Sequence, residues 1–220
     1  MKNLSIIGAV ALLTTLFAQH HAQAQGTLYV SSFGQSSGSA GVASNAWRAQ
    51  EIFTGSNSGG YSLDSIQLSV AQASGSPSDF AVMLYSSAGY AGPLPATSLG
   101  TLSGSASPSM AGIYTYTPGA QITLAPSTAY YIVMTAGTAF LDGAYSLDMN
   151  AGPYSTSDGW GEALFLRSPV GNSAWFLDSQ VLGVAQLAIY ATPVPEPSTL
   201  ALLFWASLFL VWHRRKAKQA

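Results

Sequence analysis

The sequence predicts an all-β chain: an antiparallel β-sandwich, jelly-roll-like, over residues 25–192, flanked by an N-terminal signal helix and a C-terminal transmembrane helix. Three observations carry this. Short runs of β-forming residues alternate apolar and polar between the two ends, the period that lays one face of a strand on a core. Gly, Pro and Ser clusters break those runs roughly every 8 to 15 residues, which suits hairpins and sandwiches. No stretch within 25–192 carries the repeat of a long amphipathic helix.

The strands follow in order. Ser62 to Ala71 puts Ile66, Leu68 and Val70 on one face and Gln67 and Ser69 on the other. Asp79 to Ser86 gives Phe80, Val82 and Leu84 a common face. Ile113 to Thr117 reads as an edge or half-exposed strand, with Tyr114 and Tyr116 together. Gln121 to Leu124 is short. Ala129 to Ala136 sets Tyr130, Ile132 and Met134 against Tyr131 and Val133. Ala185, Leu187 and Ile189 close the series. The expected core is Ile66, Leu68, Val70, Phe80, Val82, Leu84, Ile132 and Leu187. Residues 35–44 and 100–111 are expected to be loops.

Both ends look like targeting segments. Met1-Lys2-Asn3 is basic, Leu4 to Phe17 is largely apolar, and Ala22-Gln23-Ala24 follows. This is the layout of a secretory signal peptide over 1–24, with cleavage after Ala24 and Gln25 first in the mature chain. At the other end, Val194-Pro195-Glu196-Pro197-Ser198-Thr199 precedes an apolar run, Leu200 to Trp212, and then His213-Arg214-Arg215-Lys216-Ala217-Lys218. Arg214, Arg215 and Lys216 would stay on the cytoplasmic side, in agreement with a signal peptide that sends the domain outward. At about 1.5 Å per residue the run reaches roughly 20 Å, short of a hydrocarbon core of about 30 Å, so it makes a weak anchor.

The segment VPEPSTLALLFWASLFLVWHRRK resembles the PEP-CTERM sorting domain of Gram-negative, biofilm-forming bacteria: the Pro-Glu-Pro motif, short apolar helix and basic end stand in that order over 193–217. The resemblance implies recognition by an exosortase, a membrane cysteine transpeptidase, and removal of the tail near Pro195-Glu196-Pro197. It also implies a place at the cell surface or in the extracellular polysaccharide matrix. The plainer alternative is a Pro-rich linker and an ordinary tail anchor. Residues 47 to 190 resemble the "choice-of-anchor" bacterial surface domains, through Ala49-Gln50-Glu51-Ile52-Phe53-Thr54-Gly55, Gly60-Tyr61-Ser62-Leu63-Asp64-Ser65-Ile66, Phe80-Ala81-Val82-Met83-Leu84-Tyr85 and Ala111-Gly112-Ile113-Tyr114-Thr115-Tyr116. That resemblance implies a β-sandwich and a surface location, and no catalytic residues.

Residues 25–192 hold two bases, Arg48 and Arg167, against eight acids, a formal charge of −6, and no histidine, lysine or cysteine. A Ser-His-Asp triad lacks its imidazole, a Schiff base its lysine, and a Cys/His zinc site its ligands. Two arginines in an acidic domain cannot supply a nucleic-acid surface. No phosphate loop or dinucleotide fingerprint is present, and no cofactor is expected.

Two kinds of chemistry pass this filter. Asp142, Asp148, Asn150 and Asp158 are weak candidates for an oxygen-ligand calcium site, although their spacing departs from an EF-hand. A carboxylate pair could serve a glycosidase, with Asp158 and Glu162 the pair to test. Aromatic rings can stack on sugars, and Tyr90, Tyr154, Trp160 and Trp175 are the expected exposed-loop candidates, with Asp158, Glu162 and Arg167 to bond hydroxyls beside them. Packing is the plainer use of such rings. Three functions remain in competition: a structural or matrix-interacting surface protein, a carbohydrate-binding module, and a carboxylate-based enzyme.

Overall fold

The computed structural model describes residues 26–34, 36–89, 94–152, 155–169, 171, 174–178, 183–196 and 205. The signal segment with Ala22 and Ala24, Tyr90, Tyr154, Pro197 and the basic cluster Arg214, Arg215 and Lys216 lie outside them. Among the described residues no helix is long and apolar enough to cross a membrane. Of the run Leu200 to Trp212 only Trp205 is described.

The described chain is all-β. Its strands are β1 (Thr27–Ser31), β2 (Gly38–Val42), β3 (Trp47–Phe53), β4 (Tyr61–Gly75), β5 (Ala81–Ser87), β6 (Pro95–Ser103), β7 (Gly112–Pro118), β8 (Thr123–Leu124), β9 (Ala129–Thr135), β10 (Gly143–Asn150), β11 (Ser155–Thr156), β12 (Gly161–Ser168), β13 (Phe176–Leu177), β14 (Val184–Ala185) and β15 (Leu187–Pro193). All pair antiparallel in one curled sheet. Its main path runs β11-β1-β15-β4-β7-β6-β5-β9-β3-β12-β13, with β10 branching from β4 to meet β2 and β14, and β8 also on β4. One short ladder, Leu102 to Pro118 and Ser103 to Thr117, joins the β4 limb to the β9 limb.

The curl lets both limbs bury one cluster. Ile66, Leu68, Val70, Leu187 and Ile189 from the first limb join Val82, Leu84, Ile132 and Met134 from the second. Every residue of the expected core is buried. Strand β9 is covered on both sides: Tyr130, Ile132 and Met134 enter this cluster, while Tyr131 and Val133 enter a second one with Ala49, Tyr85, Leu166 and Trp175. An unbroken apolar run is the sequence signature of a strand covered on both faces.

Two expected loops are corrected. Residues 38–42, Gly-Ser-Ala-Gly-Val, form β2 because β10 supplies a full ladder from Val42–Tyr145 to Gly38–Met149. Residues 100–103 belong to β6, paired to β5. In both, pairing with a neighbour overrides weak intrinsic propensity.

A polar seam crosses the interior. The Ser32 hydroxyl accepts the Leu187 N–H at 2.9 Å and lies 2.8 Å from the Ala185 carbonyl and 3.3 Å from Glu162 Oε1. Gln50 Oε1 accepts the Ala185 N–H at 2.9 Å, and Asn150 Nδ2 donates to the Ser32 carbonyl at 2.8 Å. These bonds tie β3 and β12 of one limb to β14 and β15 of the other.

At the chain's exit, Gly60 turns into β4 with φ of 74°, and a Cβ there would strike the Leu124 carbonyl. The turn lets the Gly60 carbonyl accept the Val194 N–H at 3.0 Å, while Asn57 Nδ2 donates to the Val194 carbonyl at 3.1 Å. Regular structure therefore reaches Pro193 and a fixed Val194, slightly past the boundary expected at 192. Pro195 and Glu196 follow, exposed.

Candidate functional site

Glu51 lines a cleft formed by described residues. It sits on β3 beside β9, and its register partner across the ladder is Tyr131. The Tyr131 hydroxyl donates to Glu51 Oε1 at 3.1 Å, and the Leu164 N–H donates to Oε2 at 3.3 Å. Burial, then the neighbouring carboxylate, pushes the Tyr131 hydroxyl well up, so it stays protonated as a donor. The cleft beside them has a volume of about 510 Å³, with Phe53 and Tyr130 as apolar walls and Ser86, Ser87 and Thr128 as hydroxyl groups. An apolar hollow with a few converging polar groups is the usual form of a small-ligand site. Glu51 was not among the expected site residues. The signal was present in Gln50-Glu51, two polar residues inside a strand-forming run.

A second cleft, about 350 Å³, lies at the chain's exit, lined by Tyr29, Ser56, Asn57, Tyr61, Asp158 and Pro193. Behind it Tyr29 stacks on Trp160 with centroids 4.9 Å apart, and Tyr61 meets both edge-on at 5.2 and 4.9 Å. Such pairs add about 0.5–1.5 kcal/mol each beyond burial. Burial, with Tyr61 and Asp158 adding to it, raises the Tyr29 hydroxyl, and the Thr27 side chain partly opposes this.

The expected glycan residues separate. Trp160 is 3% exposed and belongs to the aromatic trio, and Trp175 is 9% exposed in the second cluster. Neither ring is an open platform. Trp160 turns inward because the Ser157–Gly159 turn, with Asp158 at φ of 52°, folds it back over Tyr29 and Tyr61. Glu162 is buried against Ser32 and does not stand beside Asp158 on the surface.

Asp142, Asp148, Asn150 and Asp158 are not assembled either. Asp142 is exposed in the turn before β10, and Asp148 accepts the Ser69 hydroxyl at 2.7 Å. Asn150 is buried, and its Oδ1 accepts the Gly152 N–H at 3.0 Å. Asp158 stands apart, in the turn at the chain's exit. Among the described residues no group of three or more His, Cys, Asp or Glu is arranged to hold a metal ion.

The two deeply buried glutamates face opposite ways. Glu162 lies across the ladder from Ile52 of the main core, while Glu51 is offset by one residue and meets Tyr131 in the other cluster. Neighbours in a strand point to opposite faces, so these carboxyls do not converge on one substrate bond as a glycosidase pair must.

Comparison with protein-family models, with curated proteins and with solved structures gives no match to this chain.

Proposed function

We propose that this chain is an exported cell-surface or extracellular-matrix protein of a Gram-negative bacterium, sorted by an exosortase, with 25–192 as a structural, matrix-interacting β-sandwich. The observation that carries the reading is the order of the C-terminal parts: Pro195-Glu196-Pro197, thirteen apolar residues, then a basic cluster. The N-terminal signal layout agrees with it in topology. The fold offers support at the junction, since Val194 is tied down while Pro195 and Glu196 are exposed, as a segment presented to a processing enzyme would need to be. In this reading the two limbs of the curled sheet are the two layers of the sandwich. The tail is held in the inner membrane before processing, with Arg214, Arg215 and Lys216 in the cytoplasm. Glu196→Ala is expected to impair processing and leave a heavier, membrane-bound form on immunoblots of fractionated cells. A variant processed like wild type counts against the motif's role.

The cleft at Glu51 favours a second reading, a carbohydrate-binding module. It joins an aromatic wall to a carboxylate and several hydroxyls, the mixture that meets both the C–H face and the hydroxyls of a sugar. A glycan array run with the full chain and with Phe53→Ala tests it: binding lost in the variant supports this cleft, and binding that is absent or unchanged counts against it.

A further inference from the structure

We propose that the cleft between Arg48 and Arg167 binds a carboxylate-bearing sugar residue of an acidic polysaccharide. These are the only two cationic side chains in residues 25–192, and the fold sets them directly opposite each other on β3 and β12. Like charges at such cross-strand positions, about 5 Å apart at Cβ, destabilise a sheet. One carboxylate answers them: Asp178 Oδ2 lies 3.0 Å from Arg48 Nη1. Arg48 is further fixed by donating from Nε to the Gly41 carbonyl at 2.9 Å. Burial lowers the Arg48 pKa first, Asp178 opposes this, and the charge of Arg167 adds to the lowering, so the two guanidinium groups sense each other. Arg167 is exposed and has no ion-pair partner among the described residues.

The surroundings specify more than an anion. Val82, Met134, Arg48, Arg167 and Phe176 are successive cross-strand neighbours on β5, β9, β3, β12 and β13. The row begins in the core, turns cationic, and ends on a half-exposed Phe176 ring. A half-exposed Phe140 lines the cleft, about 200 Å³ in volume, together with Asn45 and Pro169. Asn45 accepts the Phe140 N–H at 2.9 Å through its side-chain oxygen, which leaves its amide NH₂ as a donor. Guanidinium groups suit a carboxylate bidentately, and the Phe140 ring that lines the cleft suits the C–H surface of a sugar. An inorganic anion would use the first and not the second. The domain's −6 charge repels polyanions at long range, so binding has to be local, modest in affinity and sensitive to salt.

This inference rests on the exported, matrix-interacting reading only for the source of its ligand. The test uses the full chain in a non-ionic detergent, titrated calorimetrically with a short oligogalacturonate, a neutral oligosaccharide of equal length, sodium sulfate and anionic lipid vesicles. Saturable binding of the oligogalacturonate is expected. It should weaken several-fold between about 50 and 300 mM salt and fall about tenfold in Arg167→Ala, with Arg167→Lys between the two. Arg167 is exposed and its removal relieves a like-charge pair, so a melting temperature equal to or slightly above that of the wild type will show that the variant is folded. Equal binding of the neutral sugar, equal binding by Arg167→Ala, or a preference for sulfate or vesicles would each overturn the proposal. A chain that binds oligogalacturonate but keeps its tail in an exosortase-bearing host would remove the sorting reading and keep this one. A chain that is processed but does not bind does the reverse.

Discussion

Leu68→Ala is expected to lower the stability of the folded domain by about 3 kcal/mol, within a range of about 2–5 for such truncations. Leu68 lies in the middle of β4, between Leu187 of β15 and Tyr114 of β7, and is fully buried in the cluster that both limbs share. Neighbours held by ladders on both sides cannot collapse into the space left behind, so the cavity persists and adds to the lost transfer energy. For a chain of this size the loss corresponds to a drop in melting temperature of roughly 6–12 °C. Met110→Ala, at a 67% exposed position, should stay within about 0.5 kcal/mol. Urea melts of both variants check this, and similar midpoints for the two would remove Leu68 from the shared core.

The second large effect is a dependence on pH that arises at Glu162. Burial pushes its carboxyl up to about 8 from an ordinary 4.5, and the Ser32 hydroxyl only partly opposes this. Ser32 has one proton to donate, and its shorter contact is to the Ala185 carbonyl. The folded state therefore holds a proton on Glu162 that the unfolded chain releases near pH 4.5. Since the native state binds more protons across that window, stability falls as pH rises. The contribution is fully present below about pH 4.5 and lost as pH passes through about 8, at up to roughly 1.4 kcal/mol per pH unit. Glu162→Gln keeps a neutral polar group of the same shape, and its stability should be nearly flat from pH 5 to 8. At pH 8.5 it should melt above the wild type. Denaturant titrations at pH 5, 6.5 and 8.5 measure this. Parallel profiles for the two proteins would show that Glu162 is ionised throughout.

Much of the fold was legible because local pattern and tertiary context agree. The alternation of Ile66, Leu68 and Val70 survives intact in β4, and Ala129 to Ala136 became β9 with only its last residue outside the strand. Where they disagree, the sequence misleads. Gly38–Val42 has almost no strand propensity of its own and takes its conformation from β10. Trp160 and Trp175 stand among turn residues, and nothing local reveals that each ring folds back onto a cluster formed by distant strands.

Site geometry was the least legible part. The Glu51–Tyr131 bond and the Arg48–Arg167 juxtaposition depend on which strands become neighbours, a choice made by packing of the whole sheet. The buried seam of Ser32, Gln50 and Glu162 likewise looks, in sequence, like ordinary strand polarity. The absence of histidine, lysine and cysteine from 25–192 needed no structure to be informative.

The central claim is that the C-terminal segment is a sorting tag removed at the membrane. Its most direct test is the intact mass of the protein recovered from a host that carries the exosortase and from the same host without it. The proposal predicts a chain ending near Pro195-Glu196-Pro197 in the first and a chain retaining Leu200 to Lys218 in the second. A full tail in both would contradict the sorting claim and leave a plain C-terminal anchor on an exported all-β domain.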